Sequence, residues 1–185
     1  MSDEPELRSG PPWAMEEMIL AEPALPDPIV HDPAVAEAAG LVRAAAAAAA
    51  PVVLAGCGTS EHAAMAGAAL LGEALGSRGA VVARDAFEAS LAPQAGGVLV
   101  GVSHEAGTEA TLAALRTGDA HGAKPVLITA IPGNAPEGPL VIATPLRDTS
   151  WCHTVGYLSP LLAFLGMAGP GAPPAMPRKA SRGER

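Results

Sequence analysis

Two short stretches gather hydroxyl, thiol, imidazole and carboxylate groups beside glycines: GCGTS at Gly56–Ser60 and SHEAGT at Ser103–Thr108. Each follows an apolar run and precedes an amphipathic one, so each is expected to bridge a strand end and a helix start. In the first, Gly56 and Gly58 allow a tight turn and close approach of backbone to a ligand. Thr59 or Ser60 is expected to cap the helix and present a hydroxyl, with Cys57 beside them. Unpaired N–H groups at such a start, added to the helix dipole, favour an anion. The second stretch has the same grammar, with Ser103 closing the strand and Thr108 placed to cap. Its centre, His104-Glu105, is different.

A carboxylate near a helix N-terminus is worth about 0.3–1 kcal/mol, which makes capping one reading of Glu105. A phosphate at about 4 Å from it would be repelled by roughly 4 kcal/mol per charge pair at an effective dielectric near 20. That is about three decades of affinity. The conflict disappears if Glu105 turns outward, is protonated, pairs with a cation such as His104, Arg84 or Arg147, or if the ligand has no phosphate there. The expectation is a ligand held through hydroxyl or amino groups, with Glu105 accepting hydrogen bonds. His104 and Glu105 are also the candidate catalytic pair, since an imidazole titrating near neutrality can take a proton from a carbon beside a carbonyl. The alternative is that both only orient a ligand or cap the helix.

Cys57, His104, Glu105, Cys152 and His153 are competent metal ligands, but their spacing matches no standard zinc pattern, and no metal or cofactor is expected. His62 and His121 read as surface or packing residues, and His31, just before a helix cap, carries no signal.

The elements that must position these loops follow from periodicity. Trp13–Leu20 has helical spacing, and Pro23, Pro26 and Pro28 are expected to break it. Asp32-Pro33 reads as an N-cap with proline at the first helical position, launching a helix to Ala50. PVVLAG, AVVARD, GVLVGVS, PVLITA and LVIATP read as strands, most of them separated by helices; HTVGYLSPLLAFLGMAG closes the chain as a helix. Apolar strands alternating with helices imply a doubly wound parallel sheet in three layers, of order 2-1-3-4-5. In that order the first and third strands are neighbours whose helices leave to opposite faces. Ligands bind in the crevice at their carboxyl ends. The two loops leaving those strands are the two quoted above.

At 185 residues the chain holds one α/β domain. The net charge is -8, and of 11 Lys and Arg residues Arg178, Lys179, Arg182 and Arg185 follow Gly169. The part before that is acidic, with nothing to follow a nucleic-acid backbone. Residues 1–12 and the Pro-rich, basic 170–185 are expected to be disordered around a domain at 13–169. The acidic start has no signal-peptide pattern, and LSPLLAFLGMAG is short for a bilayer and contains Pro160. A cytoplasmic protein with reduced thiols is expected, with no membrane contact.

GCGTSEHAA, then Phe87-Glu88, VSHEAGTEATLAALR and PVLITA, together resemble the SIS (sugar isomerase) domain family. The likeness is greatest to the first such module in the isomerase half of glucosamine-fructose-6-phosphate aminotransferase, and it covers about Glu16 to Gly169. It implies a five-stranded parallel sheet between helices, and a sugar-phosphate site built from a Cys-Gly-Thr-Ser loop and a Ser-Gln-Ser-Gly-Glu-Thr loop. Cys57, Gly58, Thr59 and Ser60 match the first. In the second, Ser103 and Thr108 match, while His104, Glu105, Ala106 and Gly107 replace Gln, Ser, Gly and Glu. Asp148 and Thr154 fall on a later family segment, whose lysine position holds Val155.

The family's isomerisation chemistry draws largely on a second module and the chain's end, neither of which this sequence carries. The resemblance therefore implies a module that binds a sugar or sugar phosphate and is linked to amino-sugar metabolism. The alternatives are an aldose-ketose isomerase, aminotransferase or deaminase completed by a second copy, and a truncated or regulatory remnant. Tyr157, Leu161, Leu162, Phe164 and Leu165 make the last helix apolar around much of its circumference, so a homodimer or pairing with a second SIS module is expected.

Overall fold

In the computed structural model the described residues are 8–76, 80–150 and 152–169; of the tails expected at 1–12 and 170–185, residues 1–7 and 170–185 lie outside them. The β-branched and leucine-rich runs form β1 (Val52–Gly56), β2 (Val81–Asp85), β3 (Val98–Val102), β4 (Lys124–Thr129) and β5 (Leu140–Ala143). All pairings are parallel, in the order β2-β1-β3-β4-β5. Every residue of β1 and β3 is buried, because helices cover both faces.

One face carries α1 (Ala14–Ala21), α2 (Pro26–Val30), α3 (Pro33–Ala47), α4 (Thr59–Ala74) and α7 (Thr154–Ala168). The other carries α5 (Ala86–Leu91) and α6 (Glu109–Ala120). The helices after β1 and β3, α4 and α6, therefore leave to opposite faces and open the expected crevice between the two strands.

Local chemistry explains the helix boundaries. Asp32 caps α3 by accepting from the Ala34 amide at 2.7 Å, with Pro33 at the first helical position. The first helix ends at Ala21, just before the three early prolines, as expected. They fall in the first turns of a 3-10 turn (Glu22–Ala24) and of α2, where a missing N–H is not needed. The alanine run stops at Ala47 instead of Ala50, with Ala49 in a left-handed conformation. Asp85 caps α5 through the Phe87 and Glu88 amides, a cap the sequence reading missed.

The small-residue composition lets helices approach closely. A Cβ on Gly67 of α4 would lie 2.3 Å from the fully buried Phe164 ring, and one on Gly166 would lie 2.7 Å from Val35. The apolar surface of α7 is thus consumed inside the chain by α1 to α4. Of the five residues that suggested an outward apolar face, only Leu165 is exposed. The exposed large apolar side chains sit mainly elsewhere, among them Trp13, Met15, Ile19 and Leu20 around α1 and Met65 and Val82 beside edge strand β2.

Candidate functional site

The first loop is closed by its own backbone. Gly58, at φ 57 and ψ -123, occupies the cap position of α4 in a conformation that only glycine adopts readily. Ser60 donates to the Cys57 carbonyl, and Glu61 and His62 to the Gly58 carbonyl. Neither Thr59 nor Ser60 caps, contrary to expectation: the left-handed turn brings carbonyls to the amides that a side chain would otherwise serve. At Gly56 a Cβ would fall 2.6 Å from the Ser60 carbonyl carbon, so the turn needs glycine there to close on α4. Cys57 is half-buried against the apolar cluster under α5 and α6. The Gly58 and Thr59 amides have no backbone acceptor among the described residues.

The second loop is tied down on several sides. Ala106, left-handed at φ 52, donates to the Ser103 carbonyl, and the Thr108 amide reaches the Ser103 hydroxyl at 3.4 Å. Thr108 holds the cap position of α6, yet its hydroxyl makes no cap bond, because the buried Ser103 hydroxyl is already beneath the turn. The amides of Glu109, Ala110 and Thr111 have no backbone acceptor among the described residues. Three adjacent free donors at the start of a 12-residue helix form a seat for an anion.

Glu105 is engaged by a cation. Its Oε1 accepts from Arg147 Nε at 2.7 Å and lies 2.6 Å from the same guanidinium's NH2 nitrogen, while Asn134 donates to its carbonyl. Of the three cations considered, Arg147 is the partner; Arg84 is spent on the Ala92 and Glu88 carbonyls. The paired carboxylate presents no net charge, which removes the electrostatic objection to a phosphate nearby.

His104 faces inward. Its carbonyl accepts from Ala130 and from the Thr129 hydroxyl, and its Nε2 accepts the Asp148 amide at 2.9 Å. Its ring meets His153 edge-on, with centroids 5.5 Å apart. Burial, then His153, outweigh Asp148 and Glu105 and hold its pKa below the ordinary value. Asp148 is buried, and burial alone would raise its pKa. Hydrogen bonds from the Gly156 amide and the Ser150 hydroxyl and amide prevail and lower it.

Thr154 and Thr59 meet across a cleft of about 380 Å³ that Glu22, Cys152, His153, Tyr157, Leu158 and Leu161 complete. The Thr154 Oγ1 is buried there without a partner. Thus Thr59 and Thr154 share the cleft, Ser103 and Thr108 flank the anion seat, and His104 touches the cleft wall through His153. Glu22, Tyr157 and the Asp148 network were not singled out as site residues by sequence; the bond that ties Asp148 to His104 spans 44 residues. Among the described residues no group of three or more His, Cys, Asp or Glu is placed to hold a metal ion, so the five candidate ligands do not converge. Among them, too, no helix is long and apolar enough to cross a membrane.

No protein-family model and no curated protein matches the sequence. Solved structures do match in fold. An Escherichia coli CFT073 protein in complex with A5P superposes with a TM-score of 0.58 at 18% identity, covering 83% of this chain and 87% of that one. Tagatose-6-phosphate ketose/aldose isomerase from Escherichia coli gives 0.67 at 14%, covering 91% and 50%. The C-terminal domain of glucosamine-fructose-6-phosphate aminotransferase from Francisella tularensis gives 0.62 at 16%, covering 88% and 49%. The fold is therefore that of the sugar-isomerase domains, as the loop residues implied. This chain spans about half the length of the latter two proteins.

Proposed function

We propose that residues 13–169 form a single SIS-type module that binds a sugar phosphate at the crevice between β1 and β3. The observation that carries this is the run of free amides opening α6, flanked by Ser103 and Thr108, together with a cleft lined by Thr59 and Thr154 at the starts of α4 and α7. The phosphate takes the α6 seat and the sugar hydroxyls face the cleft. The Arg147–Glu105 pair supports a phosphate over the hydroxyl-only ligand that an unpaired Glu105 would favour. Likeness to the aminotransferase domain supports a place in amino-sugar metabolism.

Binding is better supported than turnover by this chain alone, since His104 Nε2 and the Glu105 carboxylate are both already engaged. Catalysis as an isomerase or deaminase would need groups from a second copy or module. The exposed apolar residues around α1 and β2 favour such pairing, and sedimentation at high concentration tests it. Both cysteines are free, which suits a cytoplasmic setting.

Calorimetric titration with fructose 6-phosphate, glucosamine 6-phosphate and the unphosphorylated sugars tests the reading. The phosphate esters should bind at least about tenfold more tightly. Equal affinity with and without phosphate would remove the assignment of the α6 seat.

A further inference from the structure

The segment 144–153 joins β5 to α7 and supplies Cys152 and His153 to the wall of the cleft. It is fastened to the β3–α6 loop by the Asp148 amide on His104 Nε2, by the edge-on contact of the two imidazoles, and outside by Arg147 on Glu105. Asp148 also folds the segment on itself. Its Oδ1 takes the Ser150 amide and hydroxyl, and its Oδ2 takes the Gly156 amide in the first turn of α7. The His104 backbone cannot yield, because its carbonyl is held by Ala130 and Thr129 at the end of β4.

An amide donates only to a ring nitrogen with a free lone pair, so the Asp148–His104 bond requires an unprotonated Nε2. A proton on that nitrogen sets two donors face to face where water has little access, and such an arrangement costs more than the lost bond. We propose that protonation of His104 unlatches the 144–153 segment and loosens the Cys152–His153 wall of the cleft, so that ligand binding weakens in mild acid.

The charged and titratable groups facing the imidazole are Glu105 from its own loop, and Asp148 and His153 from the segment; Arg147 stands behind Glu105 and is paired with it. Asp148 and Glu105 favour the proton, whereas burial and His153 oppose it more strongly. The latch is therefore closed at neutral pH and opens only as the pH falls through the lowered pKa of His104, which lies under its ordinary value of 6.5. Its effect on ligand affinity rests on the sugar-phosphate reading; the unlatching itself does not.

Hydrogen exchange read by mass spectrometry on the whole chain, corrected for intrinsic rates, tests the latch without ligand. Between about pH 8 and pH 5, the Asp148, Ser150 and Gly156 amides should exchange roughly tenfold faster, while β1 and β3 amides keep their protection. In His104→Gln, whose side-chain oxygen accepts at any pH, these amides should stay protected throughout. His104→Leu should exchange rapidly at both pH values; if it fails to fold, His104→Gln still decides. Equal protection of the wild type at both pH values, or an unchanged pH response in His104→Gln, would overturn the proposal. Fructose 6-phosphate affinity should fall over the same range in wild type and not in His104→Gln. If fructose 6-phosphate binds at no pH, the functional reading falls while exchange still decides the latch.

Discussion

The two loops leaving β1 and β3 have similar sequences and opposite states. The GCGTS loop is closed by backbone hydrogen bonds within a few residues, and its side chains make no cap bond. The SHEAGT loop is built from distant partners, among them Thr129, Asn134, Arg147 and Asp148, and its central side chains are spent holding those segments. A loop satisfied locally can change side chains cheaply and offer them to a ligand. A loop satisfied at long range is less free at His104, because a change there leaves the part-buried Asp148 amide without its partner. The second loop's contribution to binding thus comes from the backbone of α6 more than from His104 or Glu105.

That contrast can be broken most forcefully at Asp148. Asp148→Ala removes the acceptor of two amides and one hydroxyl, and urea unfolding should show a loss of about 3 kcal/mol. A loss under about 1 kcal/mol would mean that the Asp148 carboxylate does not hold the turn to Ser150 and the start of α7.

The pH response comes next in size. Asp148 has a depressed pKa, so its contribution is complete above its ordinary value of 3.8 and is lost as pH falls through the folded value. His104 is also depressed, so stability is lost progressively once the pH falls below its ordinary value of 6.5, where the unfolded chain takes up the proton first. Both effects have the same sign, so melting temperature should fall in two stages on acidification. Asp148→Asn should erase the lower stage and leave the upper one in place.

On the ligand side, Thr59→Val and Thr154→Val should each weaken sugar-phosphate binding about tenfold. Their melting temperatures should move little, since Thr59 makes no cap bond and the Thr154 hydroxyl has no partner. A large stability loss with unchanged affinity would reverse the roles given to the two loops.

Glu105→Gln should have the smallest effect on stability, below about 1 kcal/mol, because its ion pair is solvent-exposed. It frees the Arg147 guanidinium of its carboxylate partner. Sugar-phosphate affinity should rise a few-fold at low salt and lose that gain at high salt. Weaker binding would mean that Glu105 contacts the ligand directly.

Much of the architecture was legible in the chain. Apolar runs at strand length, Asp32-Pro33 at a helix start, and alternation of strands with helices lead to a doubly wound sheet and to a crevice between β1 and β3. These are local signals, because strand propensity, capping and proline geometry act within a few residues. Sequence misjudged α7, whose apolar circumference reads as a surface until α1 and α2 are seen to cover it.

The sequence by itself determined the sheet, its strand order and the identity of the hydroxyl-bearing loops. Only the tertiary structure decided what Glu105 and His104 do. Arg147 and Asp148 lie more than forty residues away, and a side chain's charge or proton depends on which neighbour the fold delivers to it. No spacing within SHEAGT encodes that neighbour; it arrives on the far side of the sheet's last strand.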